Sequence, residues 1–366
     1  MEIKAMPSLN PFQIRAPGRV FLFGEHSDYF HLQVISAALN LAIFLEVVPR
    51  EDDKLVVNFQ NLGTTDQFST RDKLLPYRFS RDYLRSAFNV MKKHGFTIKT
   101  GATITVRGTI PIATGLSSSS ALVVAAIQAF AQLAEVSLTK DEIARYAFQA
   151  EVEEFKEAGG MMDHLASTFG GVLHVDFSQP LRRTPLHIQL EGFVIGDSLE
   201  KKVDTVGDIK MIKSTVQTGY QKLSKFLPEF NHRLTALEEI RPFLFHLSEP
   251  MRTMTETTLK NRDLTKRAFT LLKQGKVKPT LLGELLDRHH QLLRDGLKRS
   301  TVKIERMIVA AKKAGALGAK MNGSGGGGTM LAYAPGLEKE VAAAIEREGG
   351  KAYRVAISLG VTITRF

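Results

Sequence analysis

Three short stretches of the sequence concentrate residue types that can do chemistry. The first is RVFLFGEHSDY (residues 19–29), in which an apolar run is followed by Glu25, His26 and Asp28. Two carboxylates and an imidazole directly after a predicted strand are poor core material, whereas carboxylates accept hydrogen bonds from hydroxyl groups. The stretch therefore predicts contacts with a polar ligand rich in hydroxyls. A metal site made by the same residues is the weaker alternative, because no further ligands at helical spacing accompany them.

The second stretch is GLSSSS (residues 115–120), which lies between a predicted strand and a predicted apolar helix. The first N–H groups of a helix have no intrahelical partner and carry partial positive charge, so they bind anions and phosphate in particular. Gly115 lets the backbone approach a ligand closely, and the serine hydroxyls add donors. The stretch predicts a phosphate-binding loop, with an N-cap followed by surplus serines as the alternative. It is not a Walker A loop, because the Gly-Lys-Ser/Thr ending is absent.

The third stretch is GAKMNGSGGGGTM (residues 318–330). Its glycines from residue 323 to residue 328 exclude a regular helix or strand at reasonable entropic cost. Such a loop permits positive φ angles and a close approach to another backbone or to a ligand. A flexible linker is the alternative, but it fits poorly because apolar elements flank the loop closely on both sides.

The elements that must position these stretches are mostly strands in the first hundred residues and mostly helices in the second half. Strands are predicted at 20–23, 34–39, 42–48, 55–59, 102–106, 172–176 and 330–333. Helices are predicted at 81–94, from 119 or 120 to about 135, at 139–156 and at 337–347. The third of these begins with a capping box of Thr139 and Glu142. Between residues 205 and 315 the pattern is mainly helical, and His289 and His290 are expected there on a helix surface or at a domain contact.

The composition excludes several classes of site. With 366 residues, of which 43% are hydrophobic and 24% charged, the chain is typical of a globular protein of about two domains. The absence of cysteine excludes disulfides, thiolate metal ligands and a cysteine nucleophile. The net charge of +11 is spread along the chain, and pairs such as Lys201-Lys202 are expected on solvated helix faces, so neither nucleic acid nor a membrane is the expected partner. With no recognisable export signal or membrane span, we expect a cytoplasmic protein, monomeric or homodimeric.

Taken in this order along the chain, the three stretches resemble the motifs of the GHMP kinase superfamily, which includes galactokinases, homoserine kinases, mevalonate kinases and phosphomevalonate kinases. The first is most similar to the galactokinase signature, and AEVEEFKEAGGMMDH (residues 150–164) is similar to a galactokinase segment that ends in Met-Asp-Gln. His164 stands where glutamine is usual, and FHL (residues 30–32) stands where Asn-Gly-Gly is usual. The segments LRDGLKRST and GALGAK are also similar to mevalonate and heptose kinases. The resemblance therefore indicates a sugar kinase more firmly than a galactokinase.

The resemblance implies an α+β, two-domain GHMP kinase fold with the active site between the domains. A ribosomal-S5-domain-2-like N-terminal domain is expected over residues 1–195, and a ferredoxin-like C-terminal domain over residues 196–366. The resemblance also implies a phosphotransferase that uses ATP and Mg²⁺ and has an alcohol group as acceptor. The expected reaction transfers the γ-phosphate to a hydroxyl of a monosaccharide, which in a galactokinase-like enzyme is the anomeric C1 hydroxyl.

Roles for individual residues follow from the same resemblance. Asp163 would contact the attacking hydroxyl as general base or orienting acceptor, and Arg19 would lie beside it and stabilise charge in the transition state. Ser119 and Glu151 would ligate Mg²⁺. The expected substrate contacts are Glu25, His26, Asp28 and Asp163. The expected ATP and phosphate contacts are Gly115, Leu116, Ser117, Ser118, Ser119, Ser120, Gly323, Gly325, Gly326 and Gly327.

Two other functions are compatible with the sequence. A mevalonate-type or heptose kinase would share most of these residues, although the Ser27-Asp28-Tyr29 stretch argues against mevalonate as acceptor. A galactokinase-like sensor would bind sugar and ATP without turnover and regulate a partner. The complete set of Arg19, Ser119, Glu151 and Asp163 argues against such an inactive protein.

Overall fold

The computed structural model describes residues 10–112, 114–157, 159–202 and 204–366, the side chain of residue 205 excepted. Within these ranges the strands form two sheets. The first sheet contains β1 (Phe12–Phe23), β2 (Gln33–Arg50), β3 (Lys54–Phe59), β4 (Thr64–Ser69), β5 (Gly101–Gly108), β6 (Val172–Asp176), β7 (Arg182–Leu186) and β12 (Thr362–Arg365). The second contains β8 (Phe193–Asp197), β9 (Gly318–Asn322), β10 (Thr329–Tyr333) and β11 (Lys351–Val355).

The long strand β2 organises the first sheet. Its N-terminal end pairs with β6 and its C-terminal half with β5, while β1 runs antiparallel along both parts. The order is β12-β1-β2-β5-β3-β4, and β3 pairs with β5 in parallel. The prediction of separate strands at 34–39 and 42–48 is wrong, because β2 continues through Asn40 and Leu41 and changes its neighbour there instead of turning.

The helices pack on both sheets and between them. They are α1 (Tyr83–Lys93), α2 (Ser118–Leu133), α3 (Lys140–Phe148), α4 (Met162–Phe169), α5 (Thr205–Phe226), α6 (Leu237–Ile240), α7 (Met251–Leu272), α8 (Pro279–Gln291), α9 (Val302–Lys313) and α10 (Glu338–Arg347). The apolar α2 packs against β1 and β2, and α8 packs on β9 while also contacting β1. None of the described helices combines the length and the apolar character that crossing a bilayer requires.

The ends of the predicted helices follow local backbone chemistry. The capping box at the start of α3 is confirmed, since the Thr139 hydroxyl accepts from the Glu142 N–H and the Glu142 carboxylate accepts from the Thr139 N–H. The helix predicted from Arg81 begins at Tyr83, because Arg81 has a left-handed φ of 65°. The helix predicted to reach Lys156 ends as an α-helix at Phe148 and continues as one wide π-helical turn over Gln149–Glu153.

Pro17 and Gly18, a pair of residues typical of turns, lie inside β1. The pairing register of β1 with β2 shifts between Pro17 and Arg19, which marks a β-bulge at the residue that has no N–H to donate. A Cβ on Gly18 would lie only 2.7 Å from the Leu116 carbonyl oxygen. The glycine therefore lets the serine stretch approach β1 closely.

The second sheet is antiparallel throughout, in the order β11-β8-β10-β9. It begins at Phe193 with β8, close to the domain boundary predicted after residue 195, which stays a prediction. The chain then returns to the first sheet, where β12 pairs antiparallel with β1 from Arg365 opposite Phe12 to Thr362 opposite Arg15. The two ends of the described chain thus lie side by side in one sheet.

Candidate active site

A cavity of about 640 Å³ opens between the first sheet, the helices α2 and α4, and the loops of the second sheet. A cavity of this size suits a small-molecule ligand. Most residues selected from the sequence line it: Arg19, Glu25, His26, Asp28, Gly115, Ser117, Ser118, Ser119, Ser120, Glu151, Asp163 and Gly323. The others pack behind its wall: Leu116, Gly325, Gly326 and Gly327.

Asp163 and Arg19 form the charged centre of the cavity, although they are 144 positions apart in the sequence. Arg19 Nε donates to Asp163 Oδ1 at 2.7 Å and Nη2 donates to Oδ2 at 2.6 Å, a forked pair that fixes the carboxylate plane. The Ser117 hydroxyl donates to the same Oδ2 at 2.7 Å, and Arg19 Nη1 donates to the Gly115 carbonyl at 2.7 Å. Burial alone would raise the pKa of Asp163, but the charge of Arg19 and these hydrogen bonds outweigh it and lower the pKa. The carboxylate is therefore ionised at neutral pH.

The serine stretch builds the N-terminus of α2. Ser117 has a left-handed backbone conformation, and its hydroxyl binds Asp163 instead of capping the helix. The first hydrogen bond of the helix runs from the Ala121 N–H to the Ser117 carbonyl at 3.0 Å, so the amides of residues 118–120 precede it at the cavity wall. The stretch thus combines free helix-terminal amides with hydroxyl donors, which is the arrangement that binds phosphate.

Glu151 lies in the π-helical turn that follows α3, a wide turn that proteins often use at functional sites. Burial would raise the pKa of Glu151, but His164 and the hydroxyls of Ser119 and Ser120 outweigh it and lower the pKa. His164 Nε2 lies 2.7 Å from Glu151 Oε2 without the alignment of a hydrogen bond. An ionised carboxylate therefore lies beside the serines, with the His164 imidazole in contact with its Oε2.

His26 and Asp28 lie in the turn that follows β1. His26 has a left-handed φ of 61° and shares a hydrogen bond of 2.7 Å with the Tyr29 hydroxyl. Burial, followed by the charges of Arg299 and nearby lysines, lowers the pKa of His26 to about 3, so the imidazole is neutral. Burial and the neighbouring charge of Asp163 raise the pKa of Asp28 to about 6. The turn therefore offers the cavity a neutral imidazole and a carboxylate that titrates near neutrality.

Glu25 turns its carboxylate into the protein. Its side chain is 1% exposed and forms an ion pair with the fully buried Lys320 of β9, which also donates to the Phe21 carbonyl at 3.1 Å. The other carboxylate oxygen lies 3.5 Å from His289 Nε2. His289 itself stacks on Phe23 and is fully buried, so it belongs to the contact of α8 with β1 and not to a helix surface. The predicted contact of Glu25 with a substrate hydroxyl stays a prediction that this geometry does not favour.

The glycine-rich loop after β9 faces the serine stretch from the opposite side. Gly323 lines the cavity, and a Cβ there would lie 3.2 Å from the Gly115 carbonyl oxygen. The remaining glycines predicted to contact ATP do not line the cavity; they have positive φ angles and lie against Arg299 or Glu200: Gly325, Gly326 and Gly327.

Two polar side chains of the second sheet that sequence reasoning missed connect it to the serine stretch. Asn322 Oδ1 accepts from the Phe21 N–H at 3.0 Å and Nδ2 donates to the Gly115 carbonyl at 3.0 Å. The Thr329 hydroxyl donates to the Thr114 carbonyl at 3.0 Å. Both residues lie within the third stretch, where a polar residue beside each end of the glycines was the available signal.

Lys202 is a further residue of the cavity wall that the sequence did not single out. The pair Lys201-Lys202 was expected on a solvated helix face, but it lies in the irregular segment after β8. Lys201 is exposed there, whereas Lys202 is partly buried and reaches the cavity.

Three family models match separate regions of the chain. The galactokinase galactose-binding signature matches residues 6–49, the GHMP kinases N terminal domain matches residues 82–171, and the GHMP kinases C terminal model matches residues 277–352. In the same order these regions hold the turn after β1, the serine stretch with Asp163, and the glycine-rich loop. The chain belongs to the GHMP kinase superfamily.

Relatives of this GHMP kinase include kinases for two different acceptors. The mevalonate kinase of Pyrococcus furiosus is 29% identical over 347 residues, which cover 92% of this chain and 92% of that protein. The galactokinase of Thermotoga petrophila is 28% identical over 322 residues, which cover 87% of this chain and 88% of that protein. The crystal structure of Lactococcus lactis galactokinase complexed with galactose matches with a TM-score of 0.83 at 22% identity, covering 97% of this chain and 95% of that one.

These comparisons confirm the expected GHMP kinase fold with its mixed α and β content. The predicted likeness to galactokinases is confirmed by the galactose-binding signature, and the assignment as a kinase is confirmed by the superfamily model and the relatives. Members of the superfamily use ATP, typically with Mg²⁺. The relatives share phosphoryl transfer to a small molecule, while their acceptors differ.

Proposed function

We propose that this GHMP kinase transfers the γ-phosphate of ATP to a hydroxyl of a monosaccharide, with the anomeric C1 hydroxyl as the expected acceptor. The observation that carries the proposal is the network of Arg19, Asp163 and Ser117, which holds an ionised carboxylate between the N-terminus of α2 and the turn of His26 and Asp28. A hydroxyl bound to that carboxylate would lie next to the phosphate-binding amides. The galactose-binding signature and the likeness to a galactokinase complexed with galactose support a sugar as acceptor.

In the proposed reaction, Asp163 accepts a hydrogen bond from the attacking hydroxyl and takes up its proton as the new P–O bond forms. The bond from the γ-phosphorus to the bridging oxygen breaks in the same transfer, and ADP leaves with that oxygen. Its lowered pKa makes it a weak base, which suffices because phosphoryl transfer depends mainly on positioning and charge neutralisation. Arg19 keeps the carboxylate ionised and adds positive charge where the transferred group passes. The amides at the start of α2 hold phosphate oxygens.

The apolar part of the cavity wall is the proposed place of the adenine base. It continues from the serine stretch onto the first sheet, and it consists of Ile43, Phe59, Leu62, Val106, Ile110 and Ile112. Aliphatic and aromatic side chains bury the faces of a planar base, while the neighbouring helix terminus takes the phosphates. This arrangement orients ATP with its γ-phosphate toward Asp163.

The residues proposed to hold Mg²⁺ fit the ion. Mg²⁺ takes oxygen ligands and is commonly bound by one or two carboxylates together with substrate phosphates. Glu151 offers an ionised, buried carboxylate beside the Ser119 hydroxyl, with His164 Nε2 at 2.7 Å from its Oε2. When bound, the ion would neutralise phosphate charge during transfer. Clusters of three or more acidic or histidine side chains that could hold a metal by themselves are absent from the described ranges.

The charges on the acceptor side favour a neutral polyol over an acid. Asp28 and Asp163 lie close enough that the charge of Asp163 raises the pKa of Asp28. A carboxylate acceptor such as mevalonate would bring a third negative charge to this pair, whereas sugar hydroxyls donate hydrogen bonds to it. Phosphorylation of mevalonate is kept as the second candidate because the mevalonate kinase of Pyrococcus furiosus matches nearly the whole chain.

The deciding experiment measures ADP release from Mg-ATP with a panel of hexoses, hexosamines, pentoses, uronic acids, a heptose phosphate and mevalonate. Turnover with a neutral sugar that produces a sugar 1-phosphate supports the proposal. Turnover with mevalonate alone establishes the second candidate. Tight sugar binding without ADP release would show a sensor, and neither kinase assignment would survive it.

Gly160→Ala is expected to lower kcat/KM for the acceptor by about 10–100-fold while leaving the KM for ATP unchanged. A Cβ at residue 160 would overlap the Asp28 carboxylate and displace it from the acceptor, and hydrogen bonds to a charged group contribute about 1.5–3 kcal/mol each. Gly159→Ala is the matched control, because a Cβ there meets only Val152 Cγ2 at 3.8 Å, an ordinary contact. Equal effects of the two variants would exclude Asp28 as an acceptor contact.

The titration of Asp28 predicts a pH dependence of acceptor use. Its pKa of about 6 lies above the usual value, so below that pH the side chain is protonated and accepts fewer hydrogen bonds from the acceptor. We expect kcat/KM for the acceptor to fall about tenfold per pH unit below this pKa in the parent protein and to be flatter in Asp28→Asn. If the fall of kcat/KM at low pH persists unchanged in Asp28→Asn, it is caused by the titration of another group, such as ATP itself.

A further inference from the structure

Lys202 lies between the two loops that face each other across the cavity. Its Nζ donates to the Ser324 hydroxyl at 3.0 Å, in the glycine-rich loop. A Cβ built on Gly115 would lie 2.8 Å from that Nζ, and one on Gly328 would lie 2.6 Å from Lys202 Cε. The ammonium group therefore lies directly above the bare backbone where the serine stretch begins.

The charge of Lys202 lacks a counterion in the described part of the chain. The neighbouring cations each have one, since Arg19 pairs with Asp163 at 2.6 Å and Arg299 pairs with Asp208 at 2.6 Å. In the described ranges no carboxylate lies within 4.0 Å of Lys202, whose hydrogen-bond partner is a neutral hydroxyl. Burial and the charges of Arg19 and Arg299 lower its pKa to about 8, although the charge of Asp163 acts in the other direction.

We propose that Lys202 contacts the phosphoryl group that this kinase transfers, an inference that rests on the proposed function. Lys202 is a partly desolvated cation beside the N-terminus of α2, and it has no carboxylate partner among the described residues. Such a group suits an anion that arrives with the nucleotide. Of the phosphates of ATP, the terminal one is the group that must pass between the serine stretch and Asp163. Lys202 would thereby connect the segment after β8 to bound ATP. It would also stabilise the negative charge on the oxygens of the phosphoryl group during transfer.

The test compares Lys202→Met with Lys202→Arg and with Lys201→Met, the exposed neighbour that serves as matched control. Steady-state rates are measured with the acceptor found in the panel, and dissociation constants of ATP, ADP and AMP are measured with Mg²⁺ and no acceptor. We expect Lys202→Met to lower kcat by about 10²–10³-fold. It should also weaken ATP by about 10–100-fold, with little change for ADP and AMP. Lys202→Arg should restore part of both losses, and Lys201→Met should behave as the parent.

Two results would overturn the inference. One is an equal loss of ATP, ADP and AMP affinity in Lys202→Met, which indicates a structural role. The other is unchanged kcat and ATP affinity with a raised KM for the acceptor, which places Lys202 on the acceptor. If the parent protein phosphorylates no sugar, the proposed function fails, but the binding series still decides the inference. The inference is supported if the parent and Lys201→Met bind ATP more tightly than ADP and Lys202→Met does not. It is overturned if Lys202→Met keeps this preference.

Discussion

Replacing Asp163 by asparagine is expected to lower kcat by about 10²–10⁴-fold, the usual range for loss of a positioned proton acceptor, while the affinity for Mg-ATP stays close to that of the parent. The amide keeps the volume of the carboxylate and can still accept one hydrogen bond. It cannot take up the proton of the attacking hydroxyl, and its NH₂ group opposes one of the donors of Arg19 or Ser117. Steady-state and single-turnover rates, together with ATP binding, measure the effect.

The matched control for this variant is Asp141→Asn. Asp141 also forms an arginine pair, with Arg183 at 2.7 Å, but it is mostly exposed and far along α3 from the cavity wall. Its replacement should leave kcat unchanged, because exposed pairs contribute little. If Asp163→Asn folded as the parent does and kept a kcat near that of the parent, Asp163 would not be the acceptor of the proton.

The second large effect is expected on stability. Lys320→Met should lower the free energy of unfolding by about 3–5 kcal/mol at neutral pH, because it leaves the Glu25 carboxylate buried without its charged partner. Denaturant unfolding of the full chain measures this change. Glu25→Gln/Lys320→Met should recover much of the loss, since the double variant removes both charges from the interior.

The pH dependence of this variant follows from the shift of the Glu25 pKa. Burial already raises this pKa in the parent, although Lys320 opposes the shift, and loss of Lys320 raises it further. A carboxyl group whose pKa is higher in the folded state binds a proton more readily there, so its effect on stability becomes less favourable as pH rises from the unfolded pKa to the folded one. The deficit of Lys320→Met should therefore shrink as pH falls toward the ordinary glutamate range, and the double variant should lack this trend. A deficit independent of pH would mean that Glu25 is not charged in the variant.

The sequence predicted the parts of the site that are short and contiguous. The serine stretch, the turn after β1 and the segment around Asp163 each carry their residue types within a few positions, and the resemblance to GHMP kinases placed them in one cavity. The partners of Glu25 were out of reach, because Lys320 and His289 come from β9 and α8 and approach it only in the folded protein. Secondary-structure propensity likewise did not distinguish Lys201, which is exposed, from Lys202, which reaches the cavity.

Errors about secondary structure also have tertiary causes. Local pattern divides β2 at Asn40, but the strand remains continuous because β5 and β6 supply its partners on successive segments. The Pro-Gly pair of β1 is a turn signal by composition, and the sheet accommodates it as a bulge against which the Leu116 carbonyl packs. Neither outcome can be predicted from a short window of sequence, because both depend on partners that are distant along the chain.

The pairing of β12 with β1 has a consequence for how the protein is made. During synthesis the first sheet lacks β12 until residues 362–365 have left the ribosome, since they bond to residues 12–15. Until then β1 exposes unpaired N–H and C=O groups, the kind of open edge that recruits other chains. Folding of the first sheet is thus finished by residues 362–365, and a nascent chain that stalls before β12 is a candidate for chaperone capture.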